Sequence, residues 1–238
     1  MLRSFPSSNP IIASLQEEIR RQEGSAPQTD SEVFSTGCES LDDLFPHQGI
    51  REGSLVEWLD AANYGNAPLL SLRVGRAIVD EEQAVIVIDP SRTLYPMALA
   101  AMGYHLSQVV FIHPATEQEA LWACEESLRC EGVQLVWAQL PQINSQHFRR
   151  LQLAAESSRG IGFLNRTASA RYLPSWADAR LLVHPSKIPI HSPCFRVEVT
   201  YSHGKPRRST VNLMLDSVAG TIHEVPRHLS EIPLPLVS

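Results

Sequence analysis

Residues 54–78 read Ser-Leu-Val-Glu-Trp-Leu-Asp-Ala-Ala-Asn-Tyr-Gly-Asn-Ala-Pro-Leu-Leu-Ser-Leu-Arg-Val-Gly-Arg-Ala-Ile. Residues 55–59 form a run that is typical of a buried strand. After a short turn, the spacing of Leu69, Leu72 and Ile78 predicts an amphipathic helix. A strand, a tight turn and a helix in this order form the local structure in which a phosphate-binding loop is found.

The turn in this stretch lies between a strand and a helix, as a phosphate-binding loop does, but it lacks the residues that bind phosphate. Such a loop carries a glycine, four residues, a second glycine, a lysine and a hydroxyl residue. The corresponding positions here are Asp60, Gly65, Asn66 and Ala67. Asp60 places a carboxylate where a phosphate would approach, Asn66 lacks the lysine charge, and Ala67 has no hydroxyl for magnesium. Pro68 also removes one N–H donor from the start of the helix. We therefore expect no nucleotide binding of the usual kind.

Length and composition fit one α/β domain with short appendages. The chain has 238 residues, of which 43% are hydrophobic and 19% charged. A net charge of −6 argues against a protein that coats DNA by bulk electrostatics. The four cysteines form no Cys-x-x-Cys pair, so we expect reduced thiols and no metal site. With no apolar run near about 18 residues and no signal-peptide core, we expect a cytoplasmic protein that does not contact a membrane.

Strands that alternate with helices predict a mostly parallel sheet. After the opening strand, further strands are predicted at residues 84–89, 109–112, 133–138, 161–164 and 179–183. Helices are predicted between them at residues 94–102, 117–130 and 145–157. This alternation implies right-handed crossovers and a doubly wound sheet that is covered on both faces. Residues 195–201 and 209–215, joined by a turn, then predict an antiparallel C-terminal hairpin at one edge.

The two ends of the chain fall outside the predicted core of residues 33–218. Residues 1–32 are interpreted as a helical arm and a polar linker, and residues 219–238 as a proline-rich tail. The tail either packs back on the sheet edge or is held for a partner. The candidate partner contacts are apolar residues of both ends: Ile11, Leu15, Ile19, Ile222, Val225, Leu229 and Ile232.

Several stretches in a shared order resemble the RecA-like recombinase core. They are residues 34–37, 40–42, 88–96, 116–121, 162–166 and 176–181. Their order and spacing carry the resemblance, which covers roughly residues 33–215. The resemblance implies a RecA-like doubly wound α/β fold with an ATP site at the turn described above.

The positions that the resemblance assigns to ATP chemistry carry residues without the required chemical groups. Ser91 stands where the family has a water-activating glutamate, and a serine is no base at neutral pH. Gln139 stands where an acidic residue would help to hold magnesium. Phosphoryl transfer depends on electrostatic positioning, and the groups that supply it are replaced here. We therefore expect a degenerate site, no ATPase activity and no cofactor.

Two short basic segments are the candidates for nucleic-acid contact. Recombinases carry a DNA-contacting loop after the strand equivalent to residues 161–165, and only residues 166–175 are available here for it. The candidate residues of this loop and of the hairpin turn are Arg166, Arg171, Tyr172, Lys205, Arg207 and Arg208. They could hold a phosphate, stack on a base or contact an acidic partner. Solvated loop residues are the alternative, so we expect at most weak binding to single-stranded DNA.

A RecA-like core without ATPase groups, with an arm and a short tail, is most similar to the ImuA family. The resemblance implies a non-catalytic adaptor in SOS-induced mutagenic translesion DNA synthesis. The implied partners are a Y-family-like polymerase component, ImuB, and an alternative polymerase α subunit, with RecA as a further candidate.

Two other functions stay open. One is a cell-division inhibitor of the SulA type, which binds a tubulin-like protein. The other is an unorthodox ATP-dependent recombination mediator, which is disfavoured because no lysine occurs before Lys187.

Overall fold

The computed structural model of the protein describes residues 31–62, 65–186, 192–217 and 219–226. The chain divides into two compact units, Met1–Ser31 and Glu32–Ser238. The predicted arm residues Ile11, Leu15 and Ile19 and the predicted tail residues Leu229 and Ile232 lie outside the described residues.

The second unit is built on a sheet that has nine strands among the described residues. A separate short pair, β1 (Val33–Phe34) and β2 (Ile50–Arg51), precedes it. The main strands are β3 (Leu55–Asp60), β4 (Ala84–Ile88), β5 (Val109–Ile112), β6 (Val133–Gln139), β7 (Ile161–Thr167), β8 (Ala179–Pro185), β9 (Cys194–Ser202), β10 (Thr210–Leu215) and β11 (Ile222–Glu224).

The strand order of this sheet is β11-β10-β9-β8-β3-β7-β6-β4-β5. Neighbours from β8 to β5 run parallel, and β9, β10 and β11 add antiparallel pairs at one side. The predicted α/β class, with a mostly parallel sheet and an antiparallel hairpin, is confirmed. This arrangement is compatible with a RecA-like core.

Helices cover both faces of the sheet. They are α1 (Glu39–Asp42), α2 (Asn66–Ile78), α3 (Pro96–Ala101), α4 (Glu117–Arg129) and α5 (Ser145–Ser158). Successive residues of β3 point to opposite faces, so Trp58 joins the core under α2 while Leu55 joins the core under α4 and α5. Burial on both faces explains why β3 is nearly continuously apolar. None of the helices in the described ranges has the length and apolar character needed to cross a membrane.

One strand boundary differs from the prediction in a way that affects function. β7 was expected to end at residue 164 but continues to Thr167, because Leu59 and Asp60 of β3 pair with Arg166 and Thr167. Arg166 is therefore a strand residue. The prediction that it lies in an exposed loop is wrong.

The described part of the tail belongs to the sheet. β11 pairs with β10, and the amide of Val225 donates to the carbonyl of Asn212 at 2.8 Å. Ile222 and Val225 are buried. Packing on the sheet edge is thus the alternative that residues 219–226 adopt, since the apolar side chains pair with the core of their own chain. Ile222 and Val225 are therefore buried in their own chain and are not available as the partner contacts that the sequence suggested.

Candidate functional site

A cleft of about 530 Å³ lies at the carboxyl ends of the parallel strands. Doubly wound sheets bind their ligands at this edge. The cleft brings together four residues that the sequence pointed to, which are Asp60 at the end of β3, Gly65 before α2, Ser91 after β4 and Gln139 at the end of β6. The two other positions of the degenerate loop, Asn66 and Ala67, begin α2. Residues that the sequence analysis took from three separate segments thus line one cleft.

The turn between β3 and α2 presents a carboxylate at the cleft. Asp60 is only 7% exposed, and its Oδ1 accepts a hydrogen bond from the amide of Ala62 at 3.2 Å. Gly65 precedes the helix with a φ of 78°, a left-handed conformation that favours glycine. No side chain caps α2 at this position. The helix start that would face phosphates is thus accompanied by a negative charge.

Hydrogen-bonded polar groups occupy the ends of β4 and β6. The amide Nε2 of Gln139 donates to Oγ1 of Thr93 at 3.0 Å, and that hydroxyl lies 3.3 Å from Oδ1 of the buried Asp89. The other oxygen of Asp89 accepts from the amide of Leu94 at 2.8 Å. Gln139 is thereby tied to the turn that carries Ser91. In the described ranges no group of three or more His, Cys, Asp or Glu side chains could hold a metal ion.

A buried polar network joins α2 to β6 and β7. Nε1 of Trp137 donates to Oγ of Ser71 at 2.9 Å, and Oγ of Ser71 lies 3.0 Å from Oδ1 of Asn165. Asn165 also lines the cleft. The sequence prediction missed this network because its members come from three distant segments. The one signal of this network in the sequence was Asn165, a polar residue near the end of an apolar strand.

A buried charged cluster lies between β3, β7 and β8. Oε1 of Glu57 is 2.5 Å from Nη1 of Arg166, and Oε2 is 2.6 Å from Nε of Arg180. The hydroxyl of Ser175 also donates to Oε2 at 2.6 Å. The guanidinium of Arg166 sits 5.8 Å from the ring of Phe148. Arg166 therefore serves an internal ion pair and is not presented to nucleic acid at the surface.

The loop between β7 and β8 presents an exposed aromatic surface. Nη1 of Arg180 donates to the carbonyls of Arg171 and Leu173, which fixes the backbone of this loop from below. Tyr172 is 76% exposed and Trp176 is 39% exposed. We call Arg171, Tyr172, Leu173 and Trp176 the loop patch. Arg171 and Tyr172 are thus exposed, as predicted, and the guanidinium of Arg171 lies 4.5 Å from the tyrosine ring.

The basic hairpin turn between β9 and β10 is largely neutralised by its neighbours. Nη1 of Arg208 is 2.9 Å from Oε1 of Glu224, and Nη1 of Arg207 is 3.6 Å from Oδ1 of Asp43. Lys205 is exposed. Two of the three predicted nucleic-acid contacts in this turn are therefore paired within the chain.

Comparison with known proteins finds distant relatives. No family model matches the chain. Protein ImuA of Caulobacter vibrioides is 28% identical over 140 residues in two strains, NA1000 / CB15N and ATCC 19089 / CIP 103742 / CB 15. The match covers 57% of this chain and 57% of the relative. The cell division inhibitor SulA of Edwardsiella piscicida is 29% identical over 143 residues, which cover 58% of this chain and 80% of the relative. The matches to ImuA support an ImuA-like relationship over little more than half of the chain.

Proposed function

We propose that the protein is a non-catalytic adaptor in the DNA-damage response that acts in SOS-induced mutagenic translesion synthesis. The distant similarity to ImuA supports the pathway. The observation that supports the non-catalytic role is the lining of the cleft, where Asp60, Ser91 and Gln139 stand at the positions that the resemblance assigns to ATP chemistry. Phosphoryl transfer needs positive charge around the transferred group, and these residues provide none.

The cationic side chain at the cleft does not change this conclusion. Arg166 lines the cleft, but its Nη1 is bound to the carboxylate of Glu57 and its side chain is fully buried. A triphosphate with magnesium would also meet the carboxylate of Asp60. The electrostatics therefore favour an adaptor over an ATPase.

The loop patch is the surface that we propose for the polymerase component. Tyrosine, tryptophan and arginine are the residues enriched at energetically dominant interface positions. Tyr172 and Trp176 are exposed, while Arg180 holds the carbonyls of the same loop in place. A fixed backbone lowers the entropy that the loop loses on binding.

Co-purification of the tagged full chain from DNA-damaged cells, read by mass spectrometry, tests this proposal. We expect capture of the Y-family-like component or the alternative polymerase α subunit. The double variant Tyr172→Ala/Trp176→Ala should lose this capture. Trp122→Ala, which removes a 64% exposed tryptophan of α4, is the matched control and should keep it. Capture that survives the double variant would exclude the loop patch as the interface.

A second candidate function is inhibition of cell division. It is favoured by the match to SulA, which covers 80% of that relative. The same co-purification separates the two functions, since capture of the tubulin-like division protein without any polymerase component would support the inhibitor and contradict the adaptor.

A further inference from the structure

A second arginine extends the loop patch onto α5. The guanidinium of Arg149 lies 5.0 Å from the centre of the Trp176 ring. Nε1 of the same tryptophan donates to the hydroxyl of Ser145 at 3.1 Å, which holds the ring against the start of α5. At the first aromatic residue of the patch, the guanidinium of Arg171 lies 4.5 Å from the ring of Tyr172. Each of the two exposed rings therefore has its own cation.

The apolar residues of the patch are fixed close to one another by the buried cluster. The carbonyl of Leu173 accepts from Nη1 of Arg180 at 2.9 Å, and the hydroxyl of Ser175 donates to Oε2 of Glu57 at 2.6 Å. Nε of Arg180 is 2.6 Å from the same carboxylate oxygen. The stretch that leads from Leu173 to Trp176 is thus attached twice to one ion pair. Leu173 is 44% exposed, so it and Trp176 form a fixed apolar surface.

The two arginines of this surface have neutral partners. Nη1 of Arg149 donates to the amide oxygen of Gln152 at 2.6 Å, and Nη2 of Arg171 donates to the hydroxyl of Tyr172. Within the described ranges, neither guanidinium forms an ion pair with a carboxylate. Interfaces juxtapose opposite charges, so a partner that covers this surface should bring carboxylates to it.

The stacking of both guanidinium groups favours carboxylates over nucleic-acid bases. A guanidinium over a ring covers one of the two faces on which a base would stack. Its in-plane N–H groups stay at the edge of the stack, where they match the two oxygens of a carboxylate. The net charge of −6 also disfavours a partner with a polyanionic backbone.

We propose that the loop patch and Arg149 bind an acidic segment of a partner protein, in which carboxylates flank an apolar side chain. The carboxylates pair with Arg149 and Arg171. The apolar side chain packs against Leu173 and Trp176. That this segment belongs to the polymerase component rests on the proposed function, whereas the chemistry of the surface does not.

Fluorescence anisotropy of a labelled peptide, titrated with the full chain, tests this surface. The probe contains Asp-Asp-Leu-Phe-Asp-Asp, and two counterparts replace either every Asp by Asn or the Leu-Phe pair by Gly-Gly. We expect saturable binding of the acidic peptide and about tenfold weaker binding of the Asn counterpart. The Gly counterpart should also bind less tightly, because it has no apolar side chain to bury. Salt should weaken binding of the acidic peptide, since the charges are exposed.

Arg149→Gln and Arg171→Gln are the informative variants. Each removes one surface cation, so binding of the acidic peptide should weaken about threefold or more, and binding of the Asn counterpart should not change. Arg196→Gln makes the same change at an exposed arginine of β9 and should leave both affinities unaltered. If a variant lowers the melting temperature, the comparison of the two peptides on the unaltered chain decides the question.

Each outcome bears on the proposal. A preference for the acidic peptide over its Asn counterpart that both arginine variants reduce supports it. Equal binding of the two peptides, or binding of neither, overturns it, while capture of a polymerase component that depends on Tyr172 and Trp176 would still support the proposed function. The predicted peptide binding without any such capture supports the surface and contradicts the proposed function. If a single-stranded oligothymidylate binds more tightly than the acidic peptide and displaces it, the surface binds nucleic acid and the proposal is wrong.

Discussion

Two loops leave the same edge of the sheet and are held in opposite ways. The turn after β3 is held by the amide of Ala61, which donates to the carbonyl of Val183, and by the contact of Asp60 with Ala62. The loop after β7 is held by the buried pair of Glu57 and Arg180. The turn after β3 is held by local and backbone contacts, whereas the loop after β7 is held by buried charges.

This difference shows what the buried positive charge of Arg180 contacts. In a phosphate-binding protein, cationic groups at this edge face the ligand. Here Arg180 binds Glu57 and the carbonyls of the β7–β8 loop. The charge of Arg180 therefore stabilises the β7–β8 loop, which agrees with the proposed adaptor.

Glu57→Gln gives the largest expected effect on this comparison. It leaves Arg166 and Arg180 buried without a counter-charge, so the free energy of unfolding should fall by about 3–5 kcal/mol in urea denaturation. Glu126→Gln, at a half-exposed carboxylate paired with Arg129, is the control and should change it by less than about 1 kcal/mol. Equal losses in the two variants would show that the buried cluster does not stabilise the fold.

Ser175→Ala tests how the β7–β8 loop is held. The hydroxyl donates to the buried carboxylate of Glu57, and its loss should cost about 2 kcal/mol. Hydrogen exchange should accelerate at residues 168–177 and stay unchanged in α2. Ser169→Ala, at an exposed serine of the same loop, is the control. Unchanged exchange in Ser175→Ala would mean that this serine does not fix the loop.

The sequence predicted the alternation of strands and helices because hydrophobic periodicity is a local signal. It also put Asp60, Ser91 and Gln139 in turns or at strand ends, and the structure brings all three to one cleft. It misplaced Arg166 because the polar end of β7 looks like a loop in isolation. The residue that makes its burial possible, Glu57, lies 109 positions away.

The sequence also left the path of the tail open, because that path depends on contacts with residues distant in sequence. The residues after 219 carry apolar side chains that fit either the sheet edge or a partner. For residues 219–226 the pairing of β11 with β10 decides between them, and pairing depends on strand register that local composition does not contain. Asn165 was missed likewise, because its neighbour Ser71 is 94 positions away.

Alkaline pH should lower the free energy of unfolding by a smaller amount. Burial raises the pKa of the Cys124 thiol of α4 to about 12 from 9.0, and burial also raises the pKa of Tyr104, whose hydroxyl donates to Leu72 of α2. Because the folded pKa exceeds the unfolded one, this stabilisation is complete below pH 9.0 and is lost as the pH rises towards 12.

We expect the free energy of unfolding to fall by about 1 kcal/mol or more between about pH 8 and pH 10. Cys124→Ala should flatten this slope, while Cys130→Ala, at an exposed thiol, should not. Identical slopes in the unaltered chain and Cys124→Ala would show that this thiol does not titrate in the unfolded chain as assumed.

Single-stranded DNA binding is expected to be the weakest effect. Arg166 is buried, and Arg207 and Arg208 are paired, which leaves Arg171 and Lys205 of the predicted cations. Fluorescence anisotropy should therefore give a log–log salt slope no steeper than about two. Tight binding that persists near about 0.5 M salt would mean that the loop patch is a nucleic-acid surface.

The proposal that the cleft does not bind ATP is tested most directly by calorimetric titration of the full chain with Mg-ATP. Because the resemblance to the RecA-like core assigns Asp60, Asn66, Ser91 and Gln139 to positions of ATP-binding groups, and these residues lack the required chemistry, we predict no one-site isotherm with a micromolar Kd. A saturable one-site isotherm of that affinity, lost in Asp60→Ala or Asn66→Ala, would contradict the prediction and favour an ATP-dependent recombination mediator.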